Sequence, residues 1–148
     1  MGTIESLLPL THLLGLGLAL GSATTKLTLL LKSKTDHVFV STYVAVTKPI
    51  TRLILIGTAL LVVSGIGWLL LGYPWSNLLI MKLVLVGIII ALGTTLDKLV
   101  EPKFLKLAPN SGQQPSPEFS QIENRYILIE TTATGLYYVI VVMWLLAR

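Results

Sequence analysis

Four stretches of the chain, about Leu7 to Leu31, Ile50 to Leu71, Trp75 to Leu96 and Tyr126 to Leu146, stay apolar for as long as a bilayer is thick. Crossing a hydrocarbon core of about 30 Å takes about 20 such residues as an α-helix. Lipid offers no hydrogen bonds to the backbone, so a spanning segment must be a helix or part of a closed barrel, and four segments cannot close a barrel. The expectation is an all-α integral membrane four-helix bundle, up-down-up-down, forming a single transmembrane domain over residues 1–148. With 53% hydrophobic and only 12% charged residues, the chain is too apolar for an ordinary soluble domain. The first stretch lacks a basic leader and is long for a signal sequence, so a retained helix is expected.

Charge sets the orientation. Lys32, Lys34, Lys48 and Arg52 lie between the first and second stretches, and Lys98, Lys103, Lys106 and Arg125 between the third and fourth. The connection Gly72-Tyr73-Pro74 has no basic residue, and Arg148 is the one remaining outside the spans. The positive-inside rule puts the two charged loops in the cytoplasm, hence N-out/C-out, with a bacterial inner membrane as the expected location. Trp68, Tyr73, Trp75 and Trp144 gather at the opposite interface, where amphipathic rings prefer to sit. The net charge of +4 is accounted for by these flanking residues, so no nucleic acid partner is expected.

The loops differ in character. Residues 36–48, with Val38-Phe39-Val40 and Tyr43 to Val46, fit either an interfacial helix or an extension of the second helix, with Pro49 as a kink or restart. The connection at about 100–121 reads as a flexible cytoplasmic loop, because Ala108 to Ser120 is rich in Pro, Ser, Gln and Gly. His37 stands beside Asp36 in a charged loop and reads as solvated.

Ionisable side chains are costly at membrane depth, which singles out His12, Lys26, Lys82 and Glu130. His12 and Lys82 fall at comparable depth below the outer face, about 8 to 10 Å by helical rise, and could line one pocket. Lys26 and Glu130 fall in the other leaflet, where an intramembrane ion pair is expected with Arg52, Arg125 and Glu123 around it. The bland alternatives are snorkelling of Lys26 along its apolar stem, a purely structural pair at Glu130, and a neutral His12 hydrogen-bonded across helices. His12, Gly15, Ala19, Ser22 and Lys26 share one helical face; Glu123, Glu130, Thr134 and Tyr137 share another, and the two stripes are expected to face each other. Gly17, Gly21, Thr24 and Thr28 form a second face of the first helix, suited to close packing inside the bundle or to a homodimer or larger membrane complex.

Exclusions are as informative. The chain has no cysteine, which removes thiolate catalysis, iron–sulfur ligation and disulfides. No phosphate-cradling loop, zincin motif or serine elbow is present. Two histidines far apart in sequence make bis-histidine haem ligation within one protomer improbable and leave a single histidine ligand open.

Thr11-His12-Leu13-Leu14-Gly15 opening the first helix, the basic Lys26, Arg52 at the start of the second, Ser64-Gly65 late in it, and Ile80-Met81-Lys82-Leu83 in the third give a recognisable layout. Over about the first 100 residues it resembles a group of small four-helix bacterial membrane proteins, comprising the HemJ-type protoporphyrinogen oxidases and the CopD-like membrane domains. The resemblance implies haem or porphyrin as cofactor, with His12 and Lys82 as cofactor-binding residues and His12 as the metal ligand. The expected function is an intramembrane pocket near the outer face for haem, a porphyrin or another anionic or metal-containing ligand. The alternative is an accessory or assembly subunit of a larger membrane complex without chemistry of its own.

Overall fold

The computed structural model describes residues 3–36, 38–109 and 113–146, with side chains from Leu7 onward. His37, Arg148 and part of the Pro/Ser-rich connection lie outside the described residues. Among the described residues the chain is all helical: α1 (Thr3–Thr35), α2 (Phe39–Leu70), α3 (Asn77–Thr95), a π-helical turn (Leu96–Val100), α4 (Glu101–Leu107) and α5 (Pro117–Leu146). Counting α3, the π turn and α4 as one continuous rod, four helices are long and apolar enough to cross a membrane.

The helices exceed the apolar stretches, and most of the excess lies at one end. Residues 39–48, one of the segments left open between two readings, belong to α2, which continues through Pro49. Within 100–121, expected to be loop, Glu101–Leu107 is helical and α5 already begins at Pro117. Pro102 is tolerated because it falls in the first turn of α4, where its missing N–H has no intrahelical partner to lose. Apart from one turn before Leu7 in α1, the extra turns lie at the basic end of the rods; the opposite end carries the connection at 71–76, where Gly72 takes a positive φ of 83° that only glycine adopts without strain.

Burial divides the molecule along its length. Toward the turn end, large apolar side chains such as Leu14, Leu55, Val63, Leu70, Val84 and Val142 point outward. From Leu53 to Leu70 this outward face of α2 covers about 26 Å by helical rise, close to a hydrocarbon core. Toward the basic end the pattern inverts to that of a water-soluble core, in which Leu30, Val40, Tyr43, Phe104, Phe119 and Tyr126 are completely buried. Tyr43 and Phe104 meet edge to face at 5.6 Å, and Phe104 meets Tyr126 the same way at 5.2 Å.

Packing is uneven as well. α1 packs along α2 and against α5, and α5 packs in turn against α3. α2 and α3, although joined by the shortest connection, are not packed backbone to backbone, and neither are α1 and α3. The tightest approach is α1 on α2: a Cβ added at Gly15 would sit 2.9 Å from the Gly57 carbonyl oxygen and 2.9 Å from the Leu61 nitrogen, while one at Gly57 would run into the backbone of Ala19. Gly17 and Gly21, expected to mediate close approach, have nothing within 4 Å of such an added atom. The small residues that let backbones touch are therefore Gly15, Ala19 and Gly57; the Gly17/Gly21 face is open.

Candidate functional site

Two polar groups are built inside the bundle, one in each half. Nearer the turn end, the Nδ1 of His12 lies 2.9 Å from the Ser64 hydroxyl. Ser64 has a single proton, and its Oγ is 2.7 Å from the Leu60 carbonyl and 3.0 Å from that of Leu61, both of which can only accept. If the serine proton goes to a carbonyl, His12 donates through Nδ1–H and the serine oxygen accepts; if it goes to His12, Nδ1 accepts. In the first arrangement the neutral imidazole carries its proton on Nδ1 and its Nε2 keeps an unshared pair. The ring also rests against Trp68, with centroids 5.0 Å apart.

Lys82, half-buried on α3, is near enough to His12 for the two to interact electrostatically. Between their helices the backbone of α3 stays apart from those of α1 and α2, and Ile89 of α3 joins the buried cluster that includes Ala19 and Ala23 of α1. Ile89 is the one buried residue of α3, so this helix presents Lys82 on an otherwise loosely held wall.

At the edge of the apolar belt, toward the basic end, stands a second and more heavily bonded group. Lys26 Nζ donates to Glu101 Oε2 at 2.9 Å and to Thr51 Oγ1 at 2.8 Å. The same Glu101 oxygen accepts from the Tyr126 hydroxyl at 2.9 Å and from Thr51 at 3.4 Å. Glu130 Oε2 is 3.9 Å from the ammonium, and the Tyr126 ring lies 5.3 Å from it. Lys26, Glu101 and Glu130 are all buried. Buried charge at this depth persists only when each ion is paired and hydrogen-bonded, which four helical segments here combine to provide. Around it the Tyr43 hydroxyl is directed toward Thr47 and Tyr126 without closing a hydrogen bond of good geometry.

No family model, curated protein or solved structure matches the chain. The resemblance drawn from the layout of the first three helices thus gains no relative, and functional argument rests on the geometry.

Set against the sequence-based expectations, the structure brings Lys26 and Glu130 together but gives the short contact to Glu101. Arg52, expected in the same network, is exposed and makes no ion pair within 4 Å among the described residues. Its Cα sits one residue beyond Thr51, which turns the side chain off the face that Thr51 directs at Lys26. The polar stripe of α1 faces α2 first: His12 meets Ser64, Gly15 meets Gly57 and Lys26 meets Thr51. The α5 stripe reaches the same helices, with Tyr137 and Thr58 sharing a 2.7 Å hydrogen bond. Glu101 was missed because it adjoins Pro102 in a charged segment. An available signal was the apolar series Leu96, Val100, Phe104 and Leu107, which continues the third helix at helical spacing.

Among the described residues no three His, Asp or Glu side chains converge to hold a metal ion.

Proposed function

We propose that this chain is a multi-pass membrane protein that binds an anionic ligand, with haem or a porphyrin as the leading candidate, between His12 and Lys82 in the half nearer the turn end. The observation that carries the reading is the His12–Ser64 contact, which occupies Nδ1 and leaves Nε2 free to act as a donor when the ring proton sits on Nδ1. Hydrogen bonding of the second ring nitrogen is how ligating histidines are oriented and made more basic. Lys82 would neutralise a carboxylate of the ligand, and the separation of the α3 backbone from those of α1 and α2 offers entry from the lipid. In this reading the turn end faces outward and the basic end faces the cytoplasm, as the lysine and arginine distribution requires.

A haem-type group would bring redox or ligand-binding chemistry; the chain's own residues bind, orient and screen it. Trp68 forms one wall beside the imidazole. His12 would hold the group through a ring nitrogen and Lys82 would pair with one of its carboxylates.

A second reading rests on a different observation. A groove of about 740 Å³ runs along α1 past Leu13, Gly17, Gly21, Thr24 and Thr28, with Tyr138 of α5 on its edge. The open glycines would admit a helix of a second copy or of a larger complex, making the chain an accessory subunit.

One preparation separates the two. Protein purified in mild detergent from haem-replete cells is expected to show a Soret band that His12→Ala abolishes and Lys82→Met weakens. A colourless protein that elutes with a large partner, and binds no added haem, would overturn the first reading in favour of the second.

A further inference from the structure

A cleft outside both polar groups carries a distinct assignment. It measures about 340 Å³ and lies between the π-helical turn with its flanks and the start of α5, lined by Thr95, Leu99, Val100, Ile122, Leu128 and Ile129, with Lys103 and Arg125 at its rim. Three features coincide there. Leu99 and Leu128 are exposed apolar residues at the lower limit of the outward-facing belt, so the cleft opens where hydrocarbon gives way to headgroups. Lys103 and Arg125 lie about one helical turn farther toward the basic end, are exposed, and form no ion pair within 4 Å among the described residues. The wall itself is π-helical, a rare widening of the helix that recurs at functional sites.

We propose that this cleft holds an anionic membrane phospholipid, with the phosphate between Lys103 and Arg125 and the upper part of an acyl chain along Leu99 and Leu128. The charge is complementary to a phosphate, and Arg is suited to bind it through two parallel hydrogen bonds. Basic clefts between transmembrane helices on the cytoplasmic side favour such headgroups. The apolar floor distinguishes a lipid from a soluble phosphate, which would gain nothing from Leu99, Leu128 or Ile129. Glu101 and Lys103 stand two residues apart on α4, on opposite sides of it, so Glu101 turns inward to Lys26 while Lys103 stays on the outer rim just beyond the π turn. The assignment depends on membrane embedding and is independent of any ligand at His12.

Native mass spectrometry of the detergent-purified full chain, titrated with phosphatidylglycerol or with phosphatidylcholine, tests it. Phosphatidylglycerol is expected to bind in a 1:1 complex, and Lys103→Ala/Arg125→Ala to weaken it about tenfold or more. Lys103→Arg/Arg125→Lys should retain most of the binding, and Lys48→Ala/Lys106→Ala, which removes as much charge from the same end, should leave it unchanged. Equal losses in the two alanine pairs, equal binding of the two lipids, or displacement of phosphatidylglycerol by millimolar glycerol phosphate would each overturn the proposal.

Discussion

Lys26→Met is expected to lower stability by about 3–5 kcal/mol, the cost of leaving a buried carboxylate without its cation. Glu101 would keep Tyr126 and Thr51 as donors but lose the charge that compensates it, and Glu130 would stand beside it with no ammonium between them. The partners are unequal. Glu130→Gln is expected to cost much less than Glu101→Gln, since Glu130 lies 3.9 Å from the ammonium and Glu101 lies 2.9 Å from it. Adding Glu101→Gln to Lys26→Met should recover much of the loss, because a neutral pair no longer requires burial of an uncompensated ion. Thermal unfolding of the four variants in one detergent checks the series. Equal small effects in all of them would mean that Lys26 reaches water and holds nothing together.

Gly57→Val carries the second large effect, about 3 kcal/mol, the upper end of the range for overpacking. The obstacle is backbone: Ala19 and Gly15 of α1 occupy the space that the new side chain needs, and a helix cannot yield there without moving as a whole. Separating α1 from α2 would also pull His12 from Ser64 and Lys26 from Thr51, so one substitution strains both polar groups. Gly17→Ala and Gly21→Ala provide the contrast, because their added methyl groups meet open space and also raise helix propensity. Unfolding midpoints should fall only for Gly57→Val. A comparable fall for Gly21→Ala would relocate the close contact to the face found open here.

The difference between these glycines shows where sequence reasoning reaches its limit. Gly17-x-x-x-Gly21 and Gly15-x-x-x-Ala19 are equally small-spaced faces of one helix, and what selects between them is Gly57, a residue of another helix. Spacing along α1 cannot contain that information. The four apolar rods were legible because lipid demands a minimum length of apolar helix, a constraint each segment meets by itself. The intramembrane charges were legible for the same reason: at that depth they stand out against their neighbours. Glu101 did not stand out. Its neighbours Pro102, Lys103 and Lys106 have loop-like chemistry, and its burial depends on partners contributed by three other helices, Lys26, Thr51 and Tyr126. The buried aromatic core at the basic end was hidden likewise, because Tyr43, Phe104, Phe119 and Tyr126 come from three different helices and only Tyr126 adjoins a long apolar run.

If the outward-facing apolar belt spans a membrane as proposed, Tyr73 and Ser116 lie on opposite sides of it. The chain has no cysteine, so single cysteines placed at Tyr73 and at Ser116 report their own exposure without background. In intact cells a membrane-impermeant maleimide is expected to label Tyr73→Cys and to reach Ser116→Cys only after the membrane is permeabilised. Labelling of both positions in intact cells, or of Ser116→Cys alone, would contradict the embedding and orientation on which the ligand and lipid sites depend.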